Sequence, residues 1–155
     1  MTKIICTLSV IFPLTTNTSA TELFAKRDEK AGTIEIMRVG ETEAIITQHA
    51  RADFRPYIHP IVAPDGNGIL TEYQPDHHKH QTGLYWGFTQ LNERDYFHNP
   101  TADYWKRKSF TVNKGKGSEV SWQTVYELLA NDGKSVLTET QVWECARAKI
   151  NTHSI

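Results

Sequence analysis

Short stretches in which apolar and polar residues alternate recur along the chain. Residues 33–36 and 83–90 show this period of two, which places one face of a β-strand against a core and the other against solvent. Residues 44–47 (Ala-Ile-Ile-Thr) predict another short strand. No stretch repeats apolar residues at the spacing of three and four that marks an amphipathic helix. The hydrophobic pattern therefore predicts a mainly β protein.

Proline and glycine set the character of the middle of the chain. Residues 54–62 are aromatic and β-branched, but Pro56 and Pro60 lack the backbone N–H that a sheet uses. This segment is therefore predicted to be an edge strand or an irregular extended segment. Residues 64–68, with the sequence Pro-Asp-Gly-Asn-Gly, have the composition of a turn.

The clearest structural signal lies near the C-terminal end of the sequence. Residues 120–126 and 136–143 alternate well, and residues 131–133 between them read Asn-Asp-Gly. Because Asn and Gly adopt positive φ at little cost, this tripeptide predicts a hairpin. Residues 114–117, Lys-Gly-Lys-Gly, predict a hairpin turn before it. The expected architecture is an antiparallel β-sandwich.

The chain begins like that of an exported protein. Lys3 precedes a mostly apolar run at residues 4–14, and the small residues 18–20 suit cleavage by signal peptidase. Residues 1–20 are therefore predicted to be a signal peptide, because the apolar run is shorter than the ~20 residues that span a bilayer. The expected location is the periplasm or the exterior of the cell.

Length and composition support one domain after that segment. The 155 residues include 39% hydrophobic positions and carry a formal net charge of −1, which favours a packed core and disfavours nucleic-acid binding. Residues 21–143 are predicted to form the β-sandwich, and residues 144–155, where the alternation stops, an irregular or aberrant tail. Cleavage would leave Cys145 as the single cysteine, so no intramolecular disulfide is expected of the mature chain. No membrane contact is expected of it either, because no other apolar segment approaches the length of a membrane span.

Histidines cluster beside an acidic residue within residues 74–83. His77, His78 and His80 lie close together, and Asp76 precedes them. Imidazole titrates near neutral pH and is a common metal ligand. Three interpretations therefore stay open: acid–base chemistry by one His that Asp76 orients, a divalent metal site at the three His, and a polar surface loop.

Aromatic side chains follow these histidines. Tyr85, Trp86 and Trp105 carry flat rings with polar edges, which suit stacking against the C–H faces of sugars. Each ring taken singly also fits the core of a β-sandwich. We expect a carbohydrate or another small-molecule ligand because rings and imidazoles lie close together in the sequence.

Four motifs in this region resemble a known bacterial family. They are residues 55–60 (Arg-Pro-Tyr-Ile-His-Pro), residues 76–87 (Asp-His-His-Lys-His-Gln-Thr-Gly-Leu-Tyr-Trp-Gly), Asn92 with residues 95–97 (Asp-Tyr-Phe), and residues 103–106 (Asp-Tyr-Trp-Lys). Together they are similar to the family labelled "methane oxygenase PmoA-like". The resemblance implies an exported β-sandwich of the galactose-mutarotase-like kind. Because members are longer, it also implies a truncated chain, an incomplete supersandwich in which activity can be lost.

The residues and the resemblance together define a candidate site. His77, His80 and Asp76 are the expected catalytic residues. The expected substrate-binding residues are Arg55, Tyr57, His59, His78, Tyr85, Trp86, Asp95 and Trp105.

The leading functional hypothesis is a carbohydrate-active enzyme that acts on a sugar or glycoside through His acid–base chemistry and needs no cofactor. The first alternative is a non-catalytic carbohydrate-binding or structural module. The second is a metal-binding protein that uses His77, His78 and His80 for a divalent ion.

Overall fold

The structure is a computed structural model that describes residues 22–146. This range contains nine β-strands and no helix, which confirms the mainly β class. It accordingly holds no helix long and apolar enough to cross a membrane. The predicted signal peptide at residues 1–20 lies outside the described residues.

Six strands form the larger sheet. They are β1 (Leu23–Asp28), β2 (Thr33–Arg38), β3 (Ala44–His49), β4 (Tyr57–Ile61), β5 (Leu84–Tyr85) and β7 (Lys116–Gly117). Their order is β5-β4-β3-β2-β1-β7, and every neighbouring pair is antiparallel. The strands predicted at residues 33–36 and 44–47 are confirmed as the first parts of β2 and β3.

Three long strands form the smaller sheet: β6 (Trp105–Lys114), β8 (Glu119–Leu129) and β9 (Ser135–Ala146), in the order β6-β8-β9. The predicted hairpin is confirmed, because the Ala130 backbone N–H donates to the Lys134 carbonyl (2.8 Å) where β8 turns into β9. β9 continues past its predicted end at residue 143, so the irregular tail does not begin at residue 144. Residues 147–155 lie outside the described range.

The two sheets pack face to face around a shared core, as the sandwich prediction requires. Buried residues from both sides meet there: Leu23, Ala25, Ile34, Ile36, Ala50, Ile58, Phe110, Val120 and Trp122. Gln48 of β3 is fully buried among them, and its side-chain carbonyl accepts a hydrogen bond from the Trp122 indole N–H (3.3 Å). The predicted turn at residues 114–117 contains β7, which pairs with β1 and joins the sheets at one end.

The segment with two prolines is not an edge strand along its whole length. β4 pairs with β3 on one side and, at Tyr57 and Ile58, with β5 on the other. Pro60 lies beyond the reach of β5, where the ladder to β3 also shifts register. The missing N–H of proline is tolerated at such an irregularity.

The strand predicted at residues 83–90 is reduced to the two residues of β5. After Tyr85 the chain leaves the sheet, because the Phe88 carbonyl accepts hydrogen bonds from the backbone N–H groups of Tyr96 (2.8 Å) and Phe97 (3.1 Å). These bonds fold residues 86–97 onto themselves. The alternating pattern at residues 83–90 therefore predicted a strand where, after Tyr85, the structure has an irregular loop.

Candidate functional site

Arg55 connects the loops that carry most of the candidate residues. Its side chain is 0% exposed, and its guanidinium donates to the His80 carbonyl (2.6 Å) and to the Phe97 carbonyl. The guanidinium carbon also lies 3.5 Å from the centre of the Tyr85 ring. Burial lowers the pKa of Arg55 to about 10, so it remains charged at neutral pH. Arg55 is thus closed to a ligand and supports the site from beneath, contrary to the expected substrate contact.

Imidazole rings do gather at the surface above Arg55. The His80 ring lies 4.5 Å from that of His98 and 5.8 Å from that of His78, which in turn lies 4.0 Å from His77 (distances between ring centres). The sequence therefore correctly predicted that His77, His78 and His80 are neighbours; with His98 they form a row of imidazoles. His98, which flanks the cluster in the sequence, was not among the predicted site residues, although the spacing Asp95-x-x-His98 was a usable signal.

The carboxylate that holds an imidazole is Asp95, not Asp76. Asp95 Oδ2 accepts from His98 Nδ1 at 2.7 Å, and Asp95 Oδ1 accepts from the backbone N–H of Phe97 and of His98 (both 3.0 Å). Burial by itself raises the pKa of Asp95, but these bonds outweigh it and lower the pKa. Asp76 is exposed and bonds to no imidazole within residues 22–146.

The central imidazole of the row favours its neutral form. The pKa of His80 is lowered first by burial, then by the neighbouring His98, His78 and Arg55, with Asp95 opposing them. A neutral imidazole can accept a proton near pH 7. Over the described range, no group of three or more His, Cys, Asp or Glu side chains is arranged so that it could hold a metal ion.

A cleft with aromatic lining lies elsewhere, between β9 and residues 84–88. We call this the β9 cleft; its volume is about 490 Å³, and it is lined by residues 84–86, Phe88 and residues 137–143. Trp86 is 64% exposed on one wall. Trp143 on the other wall donates its indole N–H to Gln141 (3.2 Å).

Glu139 places a carboxyl group in the β9 cleft. Its Oε1 accepts from the Gln141 amide (2.5 Å), whereas its buried Oε2 has no hydrogen-bond partner among the described residues. Burial raises the pKa of Glu139, with the Gln141 bond and the charge of Arg55 opposing it. Glu139 was not predicted as a site residue, because in the sequence it is one position of an alternating strand. Its phase with Leu137 and Trp143 was the available signal that it faces inward.

A second cleft adjoins the first. We call it the loop cleft; its volume is about 520 Å³. It is lined by Leu70, Thr71, Glu72, Pro75, Gln81, Gly83, Leu84, Tyr85 and Phe97. Tyr85 and Leu84 line both clefts. None of the imidazoles lines either one.

Three predicted substrate-binding residues serve the fold instead. Trp105 is 0% exposed and donates its indole N–H to the Asn99 carbonyl (3.1 Å) inside the second core cluster. Tyr57 is buried, and its ring stacks on His49 at 4.4 Å; burial raises its pKa. His59 Nδ1 lies 2.9 Å from the Thr71 hydroxyl.

Fold and clefts together define an all-β sandwich protein with an aromatic cleft beside β9. Residues 37–153 match a family of unknown function (DUF6807), and the chain belongs to that family. No curated protein and no solved structure matches the chain.

Proposed function

We propose that this protein binds carbohydrate in the β9 cleft. The observation that carries the proposal is that the exposed Trp86 and the half-buried Trp143 line the same cleft as the polar side chains of Glu139 and Gln141. Large exposed aromatic surface in a concave site is typical of a binding surface.

The chemistry of the lining fits a sugar. Indole rings are flat and apolar and stack on the C–H faces of pyranose rings, while hydroxyl groups need hydrogen-bonding partners around their edge. Glu139 and Gln141 supply such partners along β9, and Thr138 and Thr140 also line the cleft. We further propose that residues 1–20 export the protein to the periplasm or beyond the cell, where polymeric sugars are met; the signal-peptide pattern of the sequence supports this.

Replacement of the exposed indole tests the binding proposal. Trp86→Ala removes one stacking surface, so a glycan identified on an array of defined oligosaccharides should bind roughly tenfold more weakly, which corresponds to a loss of about 1.4 kcal/mol. Calorimetric titration measures the change. Phe24→Ala is the matched control, because Phe24 is an exposed aromatic on β1 outside the cleft. Equal affinities for the parent and Trp86→Ala would contradict the proposal.

Acid–base catalysis on the bound sugar is the second candidate. It is supported by His80, whose lowered pKa favours the neutral imidazole, and by the hydrogen bond between Asp95 and the neighbouring His98. His77 and His80 remain the proposed catalytic pair. The position of the imidazoles outside both clefts favours binding over catalysis, so catalysis takes second place.

Turnover separates the two candidates. If His80 acts as acid or base, His77→Ala and His80→Ala should abolish turnover of the bound glycan and leave its affinity nearly unchanged. Lys79→Ala, an exposed change in the same loop, is the control. A parent protein that binds the glycan without converting it would remove the catalytic candidate and leave the binding module.

A further inference from the structure

We infer that the β9 cleft and the loop cleft form one continuous groove that selects neutral oligosaccharides over single sugars and over acidic glycans. This inference rests on the proposed carbohydrate function and gives the class of its ligand. Leu84 and Tyr85 line both clefts, so the two clefts adjoin at β5.

The size of the groove argues for an oligomer. The two parts have volumes of about 490 and 520 Å³, and each by itself lies within the range of ~300–1,000 Å³ typical of small-molecule sites. A single pyranose ring fills only part of one such cleft. A ligand that contacts Trp86 and also enters the loop cleft would therefore be an oligosaccharide and not a single sugar.

The second part of the groove repeats the chemistry of the first. Leu70 is 66% exposed and, with the half-buried Phe97, offers apolar surface. Glu72, Gln81 and Thr71 offer hydrogen-bonding groups beside it. Both parts of the groove therefore combine apolar surface with hydrogen-bonding groups, which suits the C–H faces and hydroxyl edges of a sugar chain.

Charge decides between neutral and acidic glycans. Glu139 lies in one cleft and Glu72 in the other, and no Lys, Arg or His of the described chain lines either of them. Arg55 cannot serve as a counter-ion because it is fully buried beneath Tyr85. A uronate or sulfate group in the groove would lose its water without gaining a positive partner.

The test compares ligand length and ligand charge. Xylo-, cello- and manno-oligosaccharides from monomer to hexamer are titrated calorimetrically, with oligogalacturonides of equal length as acidic counterparts. We expect affinity to rise at least tenfold from dimer to hexamer for a neutral series that binds, and acidic chains to bind at least tenfold more weakly than neutral chains of equal length.

A variant assigns the length effect to the loop cleft. Leu70→Ala/Glu72→Ala, at two exposed positions, should weaken the hexamer severalfold and leave the dimer unchanged, whereas Asn67→Ala/Ile69→Ala outside both clefts should change neither. Affinity that is independent of length, or equal for acidic chains, would overturn this inference while the binding proposal stands. Absence of binding to every glycan, neutral and acidic, would overturn both.

Discussion

Two indole side chains show how the same residue type acquires opposite roles in this protein. Trp86 is 64% exposed on the wall of the β9 cleft, whereas Trp105 is 0% exposed in the core. Both belong to the aromatic cluster that predicted stacking against a sugar. The difference arises because Trp105 begins β6 and faces Tyr126 across the sheet, while Trp86 follows β5 after the chain has left its sheet. Residue type alone indicated aromatic chemistry but not its location.

Glu139 provides a stability prediction with a definite sign. Burial in the folded state raises the pKa of Glu139 above the ordinary value of 4.5. At pH values between these two pKa values, the folded chain therefore keeps a proton on Glu139 that the unfolded chain has lost. The resulting penalty is absent below about pH 4.5 and grows as the pH rises through the folded-state pKa. Glu139→Gln should therefore unfold at higher urea concentration than the parent at pH 7 and at nearly the same concentration at pH 4.

The control for this prediction lies on the same strand. Glu144 is exposed on the other face of β9, so Glu144→Gln should leave the urea midpoint unchanged at both pH values. If Glu139→Gln proved less stable than the parent at pH 7, the attraction to Arg55 would outweigh the cost of burial.

At the scale of the element, β5, one of the two shortest strands, contributes to both clefts of the site. β5 holds only Leu84 and Tyr85, yet both residues line both clefts. Gly83 allows this strand to approach β4, because its φ is +97° and an added Cβ would clash with the Ile58 carbonyl and lie 2.9 Å from the Cβ of His59. A side chain at this position must push β5 away from β4.

Gly83→Ala should therefore destabilise the protein and weaken glycan binding. Unfavourable φ and the clash together should cost roughly 1–3 kcal/mol, measured by thermal unfolding. Gly133→Ala is a matched control, because Gly133 also has positive φ (78°) but an added Cβ meets nothing within 4 Å. Its cost should be smaller, and binding should not change. Equal losses for both variants would show that φ, and not the contact with β4, is the reason.

At the scale of the whole molecule, the two sheets depend on each other. The core draws on both, and the hydrogen bond from Trp122 to Gln48 crosses between them. Neither sheet can bury its apolar face without the other, so the sandwich should unfold as one cooperative unit.

A substitution in one sheet and a probe in the other test this cooperativity. Ile34→Val in β2 removes one buried methylene and should cost about 0.5–1.5 kcal/mol. When parent and variant both carry Trp86→Phe, the fluorescence of Trp105, Trp122 and Trp143 reports on the smaller sheet, whereas far-UV circular dichroism reports on both. The variant should shift both urea transitions equally. A shift seen by circular dichroism alone would indicate that the sheets unfold independently.

Local pattern by itself determined the class of this protein and its best-defined element. Alternation with period two reflects the geometry of a strand, so the mainly β class follows from neighbouring residues. Asn-Asp-Gly favours a tight turn through its own backbone preferences, so the β8–β9 hairpin follows in the same way. Closeness in the sequence also predicted that the rings of His77, His78 and His80 are neighbours.

Only the tertiary structure decided which of these groups face a cavity. Arg55 is buried through carbonyls of two distant loops, Asp95 rather than Asp76 holds an imidazole, and Glu139 reaches the β9 cleft from a strand far along the chain. The burial of Arg55 and the position of Glu139 depend on contacts between residues many positions apart, which no local period records. Asp95 and His98 lie only three positions apart, so this pair could have been found in the sequence. The tertiary structure thus divides the predicted single site into three parts: the buried Arg55, a group of imidazoles at the surface, and a separate groove beside β9.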